Sequence, residues 1–236
     1  MSETTKDKLN KIADWYSTGQ LSIDIEMIKF RFEMERPFFR GDNVLELGPA
    51  EGQMTKHLVN SFKKVTVVEG AESLLAQIPQ SPNLFKVHSL FEDWEPNERF
   101  DTIIMDHILE HVDYPIDLLS KVKSWLSPKG VLLVGVPNAH SFHRLAAVKM
   151  GILKFPGELD KRDISVGHQR VYNPESFRKD LLSAGFNIAH FSGLLFKPLA
   201  YSQMERIVTP EILSAFIALG KDFPENSAEL FAVCEK

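Results

Sequence analysis

From residue 43 to residue 137, short unbroken apolar runs alternate with amphipathic stretches. "NVLEL" (43–47), "KVTVVEG" (64–70), "NLFKVHS" (83–89), "FDTIIMD" (100–106) and "GVLLVGVP" (130–137) read as strands. Between them, "MTKHLVNSF", "AESLLAQI" and "PIDLLSKVKSWL" (115–126) carry apolar residues at helical spacing. Strands that are apolar throughout are buried on both faces. Joined by helical crossovers, they predict an α/β architecture: a parallel sheet with helices on both faces.

The pattern differs at both ends. "LNKIADWY" and "SIDIEMIKFRFEMER" predict N-terminal helices, with Ile23, Met27, Phe30 and Met34 on one stripe and Pro37 closing the run. Residues 1–37 therefore read as a helical lid or cap, and residues 38–236 as the main domain. After Pro137 the rhythm breaks into a polar excursion over 138–172. "NPESFRKDLLSAGF" (173–186) follows as a helix, with Asn173 as N-cap, Pro174 in the first turn and Gly185 as terminator. "NIAHFSGL" and "AELFAVCE" predict two late strands that pair antiparallel at a sheet edge, separated by a second excursion over about 194–226. Both excursions should project from the carboxyl end of the sheet, where open α/β folds bind ligands.

Composition narrows the function classes. The 236 residues carry a net charge of -5, which disfavours a nucleic-acid partner, since phosphate-driven binding needs a basic face. Cys234 is the sole cysteine, so no intramolecular disulfide forms. The N-terminus lacks an apolar signal region, and no apolar run reaches the roughly 20 residues that span a bilayer. The expectation is a soluble, cytoplasmic protein acting on a small molecule without a membrane partner. A homodimer remains open.

"VLELGPAEGQM" is the first chemical signal. A strand ends at Leu47, and Gly48 and Gly52 let the backbone approach a ligand closely before a helix begins. The spacing lacks the three glycines of a dinucleotide fingerprint. Glu46 and Glu69 stand at the tips of the first two strands, and a carboxylate at the second tip can accept both ribose hydroxyl protons. With these residues in this order, the chain resembles class I S-adenosylmethionine (SAM)-dependent methyltransferases. Their first motif, an acid followed by Gly-x-Gly-x-Gly, stands here as Glu46-Leu-Gly48-Pro-Ala50-Glu-Gly52, with alanine at the middle glycine. "VHSLFEDW" (87–94) is similar to the third motif, where Leu90 and Phe91 would flank adenine and the usual acid is displaced to Glu92 or Asp93. The fourth and fifth strand regions also match, with Asp106 beside the cofactor. The resemblance implies a Rossmann-like seven-stranded sheet ending in an antiparallel hairpin, SAM as cofactor, and methyl transfer to a small polar acceptor at oxygen. N-methylation of a small metabolite, a nicotinamide-dependent oxidoreductase and a non-catalytic SAM-binding module are the alternatives.

"HILEHV" follows the fourth strand. In a helix, His107, Glu110 and His111 would fall at i, i+3 and i+4 on one face. The segment is similar to the Glu-x-x-Glu-His of ubiquinone-pathway and small-RNA methyltransferases, which bind a divalent ion and, in the RNA enzymes, add a histidine from a later loop. That resemblance points to His107, Glu110, His111 and His168 as ligands for Zn²⁺, Fe²⁺ or Mn²⁺. The competing readings are a metal-free role, with His111 or His168 as catalytic base, and a purely structural turn. The same spacing in inverted zinc peptidases sits on a long helix, not after a strand beside a glycine loop. His168, Arg170 and Tyr172 alternate as if on one side of an extended segment, and Arg170, Tyr172 and His143 are expected to meet the acceptor. His140 and Arg144 are further candidates for the same pocket wall.

Overall fold

A computed structural model describes residues 22–204 and 206–236. The helix expected over "LNKIADWY" lies outside the described residues, as does Glu205. The sheet has seven strands: β1 (Asn43–Leu47), β2 (Lys64–Glu69), β3 (Leu84–His88), β4 (Phe100–Asp106), β5 (Leu126–Pro137), β6 (Asn187–Leu194) and β7 (Glu229–Glu235). Their order is β3-β2-β1-β4-β5-β7-β6, with β7 antiparallel to both neighbours and the other pairs parallel. This is the helix-covered parallel sheet that the alternation predicted, in the seven-stranded Rossmann-like form that the resemblance implied, with the expected antiparallel strand near its edge.

The strands alternate between two cores. Val44, Val65, Val67, Ile104, Leu133, Phe231 and Val233 point to one face. There they meet α1 (Ser22–Glu35), α2 (Thr55–Leu58), α3 (Glu72–Gln77) and α9 (Pro210–Asp222). Leu45, Ile103, Met105, Leu132, Val134 and Ala232 point to the other face, against α4 (Pro115–Trp125) and α7 (Pro174–Ser183). Each such side chain, fully buried, contributes about 1.5–3 kcal/mol.

Several boundaries moved. β5 starts at Leu126, because Leu126 pairs with Phe100 across an irregularity before the regular ladder resumes at Thr102–Val131. α2 keeps only four residues as helix, and the rest of "MTKHLVNSF" continues as turns. α7 begins as expected: Asn173 accepts the Ser176 N–H at 2.8 Å, and Pro174 occupies the first turn. The first excursion contains α5 (Phe142–Lys149) and α6 (Lys161–Ser165); the second contains α8 (Tyr201–Met204) and α9. Pro137 and Leu194 both pair with Glu229, so both excursions leave from the carboxyl edge and β7 begins there. Among the described residues, no helix is long and apolar enough to cross a membrane.

Candidate active site

The glycine loop turns sharply off β1. Gly48 has φ +66°, and a Cβ there would stand 2.4 Å from Ile108 Cδ1. Gly52 has φ +83° and donates its N–H to Pro49 O at 2.8 Å. Ala50, at the place of the missing glycine, is itself left-handed at φ +49°, a conformation glycine adopts without penalty. The loop thus keeps the glycine-type path despite the substitution.

Two carboxylates frame this loop. Glu46 is buried and accepts the Thr55 hydroxyl at 2.6 Å. Burial pushes Glu46 up to about 8; the Thr55 hydrogen bond opposes this, and Asp106 and Glu69 reinforce it. Glu69 accepts the Ala71 N–H at 2.8 Å, and the Gly70 and Ala50 N–H groups also point to it. Burial raises Glu69 above the usual carboxylate range against these hydrogen bonds. Leu90 and Phe91 follow β3 and line the same cavity, with Phe91 Cζ 3.6 Å from the Cβ that Gly48 lacks.

Strand parity and α1 build a second polar group. Glu46, Asp106 and Glu229 share parity with Val44, Ile104 and Phe231, so all three point to the α1 face. There Arg31 hydrogen-bonds Glu229 and lies 3.7 Å from Asp106. Glu35 is fully buried, and burial and the adjacent Asp106 carboxylate raise it well above the usual range. Beyond them stands His107, with Nδ1 3.0 Å from Glu110 Oε1 and Nε2 3.4 Å from Glu229 Oε1. Burial and Arg31 disfavour charge on His107, yet Glu229 and Glu110 together outweigh them and raise the group to about 10. Arg31 Nη2 also lies 2.8 Å from His107 Nε2, so Arg31, Glu229 and His107 form one tight polar group.

"HILEHV" is not helical. His107 has φ +54°, which ends any helical path, and Ile108 to His111 form a turn closed by His111 N–H to Ile108 O at 2.9 Å. The turn is clamped by the segment after α6. Gln169 donates its N–H to Glu110 O at 2.8 Å, and Arg170 donates to the Leu109, Val112 and Asp113 carbonyls. This brings Glu110, His111 and His168 together, with one ligand atom from each lying within 4.8 Å of the others. His107 is not in this group: its Nδ1 bonds Glu110 Oε1, and its Nε2 faces Arg31 and Glu229. Glu110 Oε2 is buried without a protein partner. His168 Nδ1 lies 3.0 Å from Asp163 Oδ1, which leaves Nε2 facing Glu110. Asp163 would be raised by burial, but His168, the Asp160 N–H and Arg144 hold it at about 2. Two imidazoles, one carboxylate with a free oxygen, and a carboxylate behind one imidazole fit a Zn²⁺, Fe²⁺ or Mn²⁺ ion. Ligand bonds of about 2.1 Å allow at most about 4.2 Å between ligand atoms, so the three groups stand slightly open.

Two expected acceptor residues lie outside the cavity lining. Arg170 is committed to the turn carbonyls. Tyr172 is buried and donates its hydroxyl to Asp180 at 2.9 Å, so the predicted shared side of His168, Arg170 and Tyr172 does not form. His143 does line the cavity. Arg31, Glu35, Asp163, Lys197, Tyr201 and Glu229 were not singled out from sequence. Only Asp163 left a local signal, the Asp160-x-x-Asp163 capping box at α6.

The glycine loop, Glu46, Glu69, Asp106, Glu229, His111, His168 and Lys197 all line one cavity of about 1210 Å³, more than a single small-ligand site usually needs. Its Gly48 cradle and the Glu69 tip fit a nucleoside and its ribose. A malonyl-[acyl-carrier protein] O-methyltransferase of Halalkalibacterium halodurans is 24% identical over 126 residues, covering 47% of this chain and 46% of that protein. The chain thus spans less than half the length of this curated relative. A crystal structure of a SAM-dependent methyltransferase from Thermotoga maritima, described as a possible histamine N-methyltransferase, superposes with TM-score 0.68 at 17% identity, covering 97% of this chain and 99% of that one. The N-methyltransferase NodS of Bradyrhizobium japonicum, solved with S-adenosylhomocysteine, gives TM-score 0.63 at 13% identity, covering 96% and 97%. At these identities the structural likeness establishes the fold alone. The family model for a methyltransferase domain matches residues 25–190, well over half of the chain. The chain belongs to the SAM-dependent methyltransferases.

Proposed function

We propose that the protein transfers a methyl group from SAM to a small polar acceptor, at oxygen, with a divalent ion held by Glu110, His111 and His168. The observation that carries this reading is one cavity lined both by Glu46 to Glu51 with Glu69 and by His111 and His168, whose ring nitrogens stand within 4.8 Å of the buried Glu110 carboxylate. SAM supplies an electrophilic methyl on a sulfonium, which needs only an aligned nucleophile and an exit for its proton. Glu69 accepts the ribose hydroxyls, Leu90 and Phe91 flank the base, and Glu46 faces the amino-acid end. A divalent ion lowers the pKa of a bound hydroxyl. Glu110, His111 and His168 hold it, and Asp163 fixes the His168 tautomer so that Nε2 is the ligand atom.

Calorimetry with S-adenosylhomocysteine tests the cofactor half. Binding is expected, and it should strengthen with pH up to about 8. Glu46, raised to about 8 in the free protein, must lose its proton to meet the ligand's ammonium group. Below that value binding releases a proton, so affinity climbs by up to about tenfold per pH unit and levels above it. Absent binding at high micromolar ligand would sink the reading.

The metal half is tested on protein purified without chelator. Close to equimolar Zn, Fe or Mn is expected, and His111→Ala should remove it. Asp163→Asn should weaken metal affinity about 10- to 100-fold through the lost support of His168. Metal-free protein that methylates at the same rate, together with a His111→Ala loss of activity, would transfer the role to His111 as a base.

A further inference from the structure

Lys197 follows β6 and is nine-tenths buried, with 8% of its surface exposed. It lines the cavity, and its Nζ lies 3.6 Å from the centroid of the Tyr201 ring. No hydrogen bond or ion pair to its ammonium group forms among the described residues. A buried ammonium without a carboxylate partner is costly, and burial, with Arg162 adding repulsion, holds Lys197 down to about 7. The other cations around the cavity are engaged: Arg162 with Asp24, Arg144 with Asp163, and Arg31 with Glu229. Glu229 and Asp24 favour the charged lysine, but each already serves an arginine.

Its surroundings are equally uncommitted. His143 donates its backbone N–H to Lys197 O at 3.1 Å, so the two residues are neighbours in the cavity wall. His143 Nδ1 is buried without a partner. Burial and the positive charge of Lys197 hold this imidazole neutral, down to about 2. The position in the sheet matters too. The glycine loop follows β1 and Glu69 ends β2, whereas β6 is the strand at the opposite edge.

We infer that Lys197, with His143 and Tyr201 beside it, forms an oxyanion subsite, and that the methyl acceptor is a small hydroxy-carboxylate whose carboxylate docks there. The inference rests on the methyltransferase reading, because it assigns the β6 end of the cavity to the acceptor. One free cation in the cavity wall among the described residues matches a monoanion. A phosphoryl dianion would leave a second charge uncompensated in a cavity that is already lined by Glu46, Glu69, Asp106 and Glu229.

The test compares 3-hydroxybenzoate with 3-hydroxybenzamide, in protein alone and in protein saturated with S-adenosylhomocysteine, by calorimetry. The carboxylate should bind at least about tenfold more tightly than the amide, as expected for a charge-assisted pair. In Lys197→Met that preference should vanish, with S-adenosylhomocysteine affinity kept within about threefold of wild type. A second measurement needs no variant. Lys197 should react with an acylating reagent at neutral pH, read by peptide mass spectrometry, and hydroxybenzoate should protect it while the amide does not. Equal binding of acid and amide, an unchanged preference in Lys197→Met, no protection of Lys197, or tighter binding of inorganic phosphate than of the carboxylate would each overturn the inference. Loss of S-adenosylhomocysteine binding in wild type would instead strike the methyltransferase reading, while carboxylate binding to the free protein would still report on the subsite.

Discussion

Replacing Glu69 with alanine should weaken S-adenosylhomocysteine binding about a hundredfold or more while the protein stays folded. The carboxylate sits at the tip of β2 in the cavity wall, positioned by the N–H groups of Ala71, Gly70 and Ala50. Those bonds hold it in place before any ligand arrives, so little ordering cost falls on binding. A ribose offers two hydroxyls, and hydrogen bonds to a charged group are worth about 1.5–3 kcal/mol each, so at least about 3 kcal/mol is at stake. Glu69→Gln keeps the shape and one acceptor oxygen, and should lose only about tenfold. The N–H groups freed by Glu69→Ala border the cavity and can turn to water, which limits the stability cost. Calorimetry paired with a thermal melt separates the two effects. An affinity within threefold of wild type would remove Glu69 from the cofactor site.

Glu69 was readable because the signals that placed it are local: an apolar run, an acid at its end, and a glycine loop on the preceding strand. The same holds for β1 to β5, where continuous Val, Ile and Leu can only be the inside of a covered sheet. The HILEHV geometry was not readable. Its spacing suits a helix face, but His107 takes φ +54° and the segment folds as a turn held by Gln169 and Arg170 from a distant loop. The spacing brought the right residue types forward, and the tertiary clamp decided which of them meet. Arg170 shows the cost of reading alternation alone, since its guanidinium is spent on three backbone carbonyls. Lys197 and Glu229 carried no local mark. One follows a strand and the other begins one, and their roles come from which strand edge the topology brings to the cavity. Arg31 sits on a helix whose apolar stripe explained its folding, and nothing in the local sequence marked its charge.

Arg31 should nevertheless prove the most costly charge in the described structure to remove. Arg31→Met preserves much of the aliphatic volume but leaves Glu229 facing Asp106, with Glu35 buried beside it, and no guanidinium between them. Arg31 is only 7% exposed, so water offers little relief. Breaking one side of a buried ion pair typically costs about 3–5 kcal/mol, at least about a fifth of the stability of a domain that holds roughly 5–15 kcal/mol. The cost comes from the abandoned acids rather than from the lost arginine, and this yields a second expectation. Glu229→Gln in the Arg31→Met background should recover part of the loss, so the double variant is more stable than the sum of the single changes predicts. Chemical denaturation of the four proteins measures both quantities. A single-variant loss below about 1 kcal/mol, or strict additivity, would show that the acids find solvent or each other. The same network anchors α1 over the carboxyl edge through Glu229, His107 and Asp106, so a helix that sequence alone offered as a lid or as core packing is tied to the cavity wall by charge.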